Sequence, residues 1–576
     1  MSIFDVFRRK KSIPSPWNKY YTENDLNINI PNISMYEQIL KASKKYPNNI
    51  AIQYFSTKMK YKKFINEIDR AAISFKELGI YKGDIVTILM PNTPEALIAV
   101  YALNKLGVIA SMVHPLSSSE EIKDSLNSTN SKYLVATDMF YSKIKDIIGE
   151  TNVKKVIFTS ISSYMTKALK IGYYFTKGRK YKKYPKNNFF ISWNKFLNLS
   201  KNKSLDIKSK YGKNTPAVIL HSGGTSGKPK NVVLQNRAFI LITKQEKKVL
   251  KDMVVGDKCL AIMPNFHGFG LAVSMHTQIS LGFTSILVPQ FDAKKFDTLL
   301  RKTKPSIVLG VPTLYEALVN SNNEPNLDLS FIKYLICGGD SLPKPLEDKV
   351  NKYMLSHGNN IKIVQGYGLT EALSAVCLGP SRYNKSGSIG IPLPGNHIKI
   401  IDPSTRNTLP FGEIGEICIN SKALMMGYLN NESETNEALQ IHKDGHIWLH
   451  TGDLGYMDED GFIFYKGRQK RMIITSGYNV YPSHIEEVIE KHEAVLQCTV
   501  VGMPHPYKHE VAKAFIVLKE GYKGLFIKSQ IKEYCKKNLS KYMVPYEFVY
   551  RKSLPKTKLG KVDFKKLQSD IGKDDD

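Results

Sequence analysis

The chain has no run of 18 apolar residues, no Cys-x-x-Cys pair, no His-Glu-x-x-His and too few acids to balance its bases. The first absence removes any expected membrane-spanning helix. The nearest stretch, Glu95 to His114, carries Asn104 and Lys105 at its centre and reads as a buried helix followed by a strand. Met1 to Phe7 is too short for a secretory signal, and the Arg8-Arg9-Lys10-Lys11 run lies on its wrong side. The expected location is therefore cytoplasmic, with a peripheral place at the inner face of the membrane as its extension. The six scattered cysteines argue for reduced thiols and against a zinc site or disulfide frame. The missing His-Glu-x-x-His leaves a metalloprotease without support.

The acid deficit is large: 82 basic against 52 acidic residues, a net charge of +30. Such an excess favours anionic partners, namely nucleic acid, an anionic membrane or phosphorylated substrates. The lysines are dispersed and no nucleic-acid-binding module is present, so no nucleic acid is expected. At 576 residues, with 42% hydrophobic and 23% charged content, the chain should form two or more globular domains.

Residues 221–234, His-Ser-Gly-Gly-Thr-Ser-Gly-Lys-Pro-Lys-Asn-Val-Val-Leu, are the most informative stretch. The apolar run Ala217 to Leu220 reads as a buried strand emptying into a loop. Gly223, Gly224 and Gly227 allow backbone N–H groups to approach a phosphate with no Cβ in the way. Ser222, Thr225 and Ser226 add hydroxyls, while Lys228 and Lys230 add charge. The loop is a polyphosphate cradle by chemistry, but not a Walker A loop. Pro229 stands where Ser or Thr should follow Gly-Lys, and Ser222 stands where the first Gly should be.

From about residue 83, strand-like and helix-like segments alternate, which predicts a parallel α/β arrangement with more than one sheet. Strands are expected at 84–90, 108–113, 258–263, 284–288, 306–309, 334–337 and 362–365, and helices at 94–106 and 119–127. Sites in such sheets lie at the strands' C-terminal ends. The cradle, His267, Gly338-Gly339-Asp340 and Gly366-Tyr367-Gly368 all follow strand candidates, so they converge on one predicted crevice. After Gly387, short β-rich pieces predict a small β subdomain. From about Lys470 a compact α+β unit follows. Residues 162–212, rich in Lys, Tyr and Asn, read as an inserted basic segment. The expected division is a large domain over 1–468 and a small mobile one over 469–576.

Four further segments carry chemistry: Tyr367-Gly368-Leu369-Thr370-Glu371, Thr451-Gly452-Asp453, Gly467-Arg468-Gln469-Lys470, and 555–561, Pro-Lys-Thr-Lys-Leu-Gly-Lys. With the Ser-Gly-Gly-Thr-Ser-Gly-x-Pro-Lys loop, in this order, they resemble the adenylate-forming superfamily over about 36–565. Asn-Val-Tyr-Pro-Ser-His-Ile-Glu at 479–486 and the basic segment make the chain look most like a bacterial long-chain fatty-acid–CoA ligase. The resemblance implies two steps. A carboxylate and ATP give acyl-AMP and pyrophosphate; CoA thiol then displaces AMP.

It also implies roles. Ser222 through Lys230 would hold the β- and γ-phosphates, Thr370 would contact a phosphate oxygen, and Glu371 would hold Mg²⁺, a cation that prefers oxygen ligands. Tyr367 would stack on adenine beside Gly338 and Gly339, with Gly368 next to it in the same motif. Asp453 would accept the ribose hydroxyls, with Arg468 also reaching the ribose. Lys561 would offset negative charge during adenylation, and His267 would gate the acyl pocket. Lys470 matches the hinge about which the small domain rotates, and Gly477 would line the thiol's channel in the second state. Gly223 replaces a hydroxyl residue common in this loop, Asn231 replaces a usual Gly, and Val562-Asp563-Phe564 replaces Leu-x-Arg.

The closest rival is a fatty-acyl-AMP ligase serving a carrier-protein thiol; the absence of an extra segment between Gly387 and Asp453 favours CoA. Residues 167–186 hold eight basic residues, five aromatics and no acid. They are the candidate contact with an anionic membrane. Acyl chain length and oligomeric state are not legible.

Overall fold

The computed structural model describes residues 13–571 except 177, 182–183, 186, 205–210, 223–229, 322, 325, 381–382, 476–477 and 558–560. Its apolar runs assemble into two large sheets, one of nine strands and one of eight. In the nine-stranded sheet, Ile307–Gly310, Tyr334–Gly338 and Val364–Leu369 are parallel neighbours, with Gly338 opposite Gly366. In the eight-stranded sheet, Ile85–Leu89, Ile109–Met112 and Pro216–Ser222 run parallel, while Lys230–Gln235 closes back antiparallel. One hydrophobic cluster contains Val86, Ala110 and Val218 from one sheet and Ile307, Leu309 and Ile336 from the other. Two sheets thus share a core.

The helix Pro94–Lys105 shows why Glu95 to His114 looked nearly membrane-like. It is buried from Pro94 through Asn104, packed in the core on all sides rather than along one stripe. Asn104 at its centre is satisfied: its Oδ1 accepts from the Tyr36 N–H at 3.0 Å, and its Nδ2 donates to Asn236 Oδ1 at 2.8 Å. Ile109–Met112 is the strand that follows.

The expected β subdomain is an antiparallel sheet of His397–Ile401, Gly415–Asn420, Ile447–Met457, Leu439–Ile441 and Ile463–Arg468. A single turn, Gln469–Arg471, separates it from a last sheet beginning at Ile473–Thr475. That sheet carries the helices Pro482–Glu490 and Leu525–Asn538.

Two sequence expectations need correction. The strand expected at 362–365 runs over Val364–Leu369, so Tyr367 and Gly368 lie inside it. The antiparallel partner Ser374–Leu378 extends the pairing that far. Residues 162–212 are not one insertion either. Phe190–Ser192 pairs in parallel with Lys155–Thr159 as an edge strand, and Trp193, Phe196 and Leu197 are buried in the main cluster. The surrounding lysines and asparagines hid a short apolar helix face. The helix Lys167–Thr176, by contrast, buries no residue.

Candidate active site

Ser222 ends one strand and Lys230 begins the next, and the two residues pair across an antiparallel ladder. The loop joining them is therefore a hairpin connection, a different setting from the strand-to-helix turn of a Walker A loop. Gly223, Gly224, Thr225, Ser226, Gly227 and Lys228 lie outside the described residues, as does Gly477. Lys230 is held on the hairpin's far side. Its Nζ lies 2.9 Å from Glu434 and 4.7 Å from the centre of the Tyr428 ring.

Tyr428 leads to the next predicted residue, donating its hydroxyl to Glu371 Oε1 at 3.0 Å. Glu371 and Thr370 sit in a turn directly after Val364–Leu369. That turn leaves through Leu373 and Ser374, both at positive φ, 62° and 136°. Positive φ in a leucine is strain of a kind concentrated at functional sites. Gly368 explains how the chain turns back so tightly. A Cβ there would lie 1.2 Å from the Ser374 carbonyl oxygen, so no other residue fits.

Tyr367, Asp453 and Arg468 form the centre of the site. Tyr367 Oη donates to Asp453 Oδ2 at 2.6 Å, and Arg468 Nε lies 2.8 Å from Asp453 Oδ1. Strand pairing sets this geometry, because Asp453 stands opposite Arg468 across the sheet. Asp453 is only 2% exposed, and burial raises its pKa against the opposing pull of Arg468 and Tyr367. Although Arg468 supplies charge, Oδ1 receives no aligned hydrogen bond. A buried carboxylate oxygen in that state is short of a donor, and a ribose hydroxyl is one.

His267 comes after Lys258–Ala261 and just before the π-helical segment Phe269–Thr277. π-Helical turns are rare and concentrate at functional sites. Burial, and then the charge of Lys561, lowers the His267 pKa to about 4, so its imidazole is neutral near pH 7. Its Nδ1 accepts from the Phe269 N–H at 3.2 Å. Lys561 also acts on Asp453. A residue nearly three hundred positions from His267 thus adds its charge to the surroundings of both His267 and Asp453.

Gly338 ends its strand and Gly339 follows, at the C-terminal edge expected of a binding site. Lys470 lies in the Gln469–Arg471 turn between the two last sheets. Three residues escaped the sequence reading. Tyr428 and Glu434 link the loop lysine to Glu371, but a lone Gly-Tyr pair advertises nothing. Gly270 carries a visible signal in Phe-His-Gly-Phe-Gly: a Cβ there would lie 1.9 Å from the Pro264 carbonyl oxygen.

Residues 39–429 match the family described as AMP-binding enzyme, and residues 484–561 match the AMP-binding enzyme C-terminal domain. The chain belongs to the AMP-binding enzyme family. A long-chain-fatty-acid–CoA ligase of Bacillus subtilis (strain 168) is 32% identical over 553 residues, covering 95% of this chain and 96% of that one. A probable 4-coumarate–CoA ligase of Dictyostelium discoideum is also 32% identical, over 87% of this chain and 89% of its own. Among solved structures, the anthranilate CoA ligase AuaEII in complex with anthranoyl-AMP superposes with a TM-score of 0.82 at 22% identity, covering 95% and 98% of the two chains. ATP-bound MatB from Rhodopseudomonas palustris gives 0.80 at 22% identity, over 93% and 98%. This family member is an adenylate-forming acid–CoA ligase with ATP and CoA as its substrates.

Proposed function

We propose that the chain activates a long-chain fatty acid as its acyl-adenylate and transfers the acyl group to CoA. The buried Asp453 oxygen that lacks a hydrogen bond, flanked by Tyr367 and Arg468 and within the field of Lys561, carries the nucleotide half of this reading. The ribose hydroxyls donate to Asp453, and the adenine packs beside Tyr367 against Gly338 and Gly339. The loop from Ser222 to Lys230 takes the terminal phosphates. Lys230 leaves Glu434 to do so.

Mg²⁺, when bound, neutralises phosphate charge. Glu371 is the carboxylate that fits it, since Tyr428 donates to one of its oxygens and leaves the other able to ligate. Lys561 stabilises the charge that gathers where carboxylate meets α-phosphate. His267, neutral and half-buried, walls the acyl entrance with no acid–base duty.

Similarity to the Bacillus ligase over nearly the full length of both chains supports a fatty acid as the acid. The equally identical 4-coumarate relative supports an aryl acid as the second reading. Pyrophosphate release, measured over carboxylates from acetate to oleate and including coumarate, separates the two. Activity confined to long chains is expected, and a preference for coumarate would overturn the fatty-acid reading. Running each acid with and without CoA shows whether CoA or a carrier-protein thiol completes the reaction. The division into a domain over 1–468 and a mobile one from 469, with Lys470 as hinge, belongs to the same proposal. So does contact between 167–186 and an anionic membrane.

A further inference from the structure

The antiparallel sheet that carries Asp453 holds a second cluster of chemistry-bearing side chains, one that the ligase reaction does not use. Cys418, on Gly415–Asn420, stands directly opposite His450, on Ile447–Met457. Glu416 lies two residues before Cys418, and both are buried. One ligand atom from each of Glu416, Cys418 and His450 lies within 4.8 Å of the other two. His450 Nδ1 is 3.8 Å from Cys418 Sγ and 2.9 Å from Glu416 Oε2. Two nitrogen and sulfur ligands of one tetrahedral zinc, at ~2.0 and ~2.3 Å from it, stand roughly that first distance apart.

The contacts around His450 conflict without a metal. Arg406 Nη1 approaches the same Nδ1 at 2.7 Å and Glu416 Oε2 at 3.3 Å. A guanidinium can only donate, so it needs a lone pair on Nδ1, whereas the Glu416 carboxylate needs a proton there. No tautomer of His450 meets both demands. A carboxylate, an imidazole lone pair and a thiol thus converge on a point approached, among the described residues, by a half-exposed arginine. On the far side of the ring, His450 Nε2 lies 2.9 Å from His442 Nε2. With the Nε2 proton of His450 shared with His442, Nδ1 is free to bond an ion, and His442 is the outer partner that a metal-bound histidine commonly has.

We infer that Glu416, Cys418 and His450 form a site for a thiophilic divalent cation of the zinc class, with Arg406 as the group the cation displaces. The mixed oxygen, sulfur and nitrogen donors select zinc-like ions over magnesium. On binding, Cys418 gives its proton to solvent, its sulfur and the two other donors bond the ion, and Arg406 swings out to water. The other oxygen of Glu416 accepts from the Gly452 N–H at 3.0 Å, so the site shares a strand turn with Asp453. Rigid neighbouring strands hold all three ligands in register.

Cobalt(II) titration of the full chain tests the site. One ion per chain is expected, with thiolate-to-cobalt absorption in the near ultraviolet and four-coordinate bands in the visible, both displaced by zinc. Cys418→Ala and His450→Gln should abolish the absorption, and Cys498→Ala, at a buried cysteine elsewhere, should keep it. Arg406→Gln, on a half-exposed side chain, should tighten cobalt binding several-fold. Absence of thiolate absorption in the wild-type chain and in Arg406→Gln would overturn the site. So would absorption that survives in Cys418→Ala.

Discussion

Lys561 adds its charge to the surroundings of both His267 and Asp453. In the proposed reaction a cation there acts where two anions meet. Removing one preorganised donor from such a place costs about 2.7–4 kcal/mol, or roughly a hundred- to thousand-fold in rate. Lys561→Ala is therefore expected to slow adenylation by that factor while sparing thioester formation from supplied acyl-AMP. Separate assays of the two half-reactions check this, and equal losses in both would remove the assigned role. At this scale the sequence exposed residues whose motif is contiguous: Tyr367, Glu371, Asp453 and Arg468 each sit in a short recognisable run. It did not expose Tyr428, whose importance lies in two contacts. Nor did it expose Glu416, Cys418 and His450, which strand register brings together from 34 residues apart. Reading cysteine spacing alone argued against a zinc site, because that test sees only ligands that are close in the chain.

The elements that place the site also store its tensions. Glu95, in the first turn of Pro94–Lys105, is fully buried, and burial raises its pKa to about 7. An acid so raised costs nothing where both states are protonated. As pH climbs from 4.5 to about 7, the unfolded chain ionises while the folded chain keeps its proton, and stability falls; beyond that it stays lower. Glu95→Gln mimics the neutral form and should raise stability by about 1–3 kcal/mol at pH 8, with little gain at pH 5. Urea midpoints at the two pH values check this, and equal gains at both would show that ionisation is not the cause. The Gln469–Arg471 turn is the other element under test. Lys470→Pro fixes φ and removes an N–H where rotation is proposed. Adenylate formation should persist while transfer to CoA falls at least tenfold, and unchanged transfer would relocate the hinge. Strand existence was legible here, because apolar runs such as 334–337 have one reading. Strand ends were less so, since the extension to Leu369 depends on a partner that propensity does not contain.

Over the whole molecule, the +30 charge predicts anionic partners without saying where they dock. For the proposed membrane contact the fold offers one candidate place. No helix among the described residues is long and apolar enough to cross a membrane. Lys167–Thr176, however, leaves Leu169, Ile171, Tyr174 and Phe175 exposed at 41–62%. No acid occurs between Glu150 and Asp206, so the segment itself brings no charge that opposes an anionic surface. Arg179 lies over the Phe175 ring at 5.1 Å, joining a cation to an apolar face. Exposed apolar and aromatic side chains enter the headgroup boundary while lysines meet anionic lipid, the two terms that hold an interfacial helix. Each engaged base adds about 1 kcal/mol, screened by salt. A ligase acting on long-chain acids gains by meeting its substrate where that substrate partitions. The chain should co-sediment with phosphatidylserine-containing vesicles, bind phosphatidylcholine alone far less, and lose binding as salt rises. Ile171→Ser with Phe175→Ser keeps every charge and should weaken binding at least several-fold, leaving adenylation of a long-chain acid supplied without vesicles unchanged. Equal binding by that variant would leave charge alone as the attraction. Binding that survives deletion of 167–186 would move the contact elsewhere.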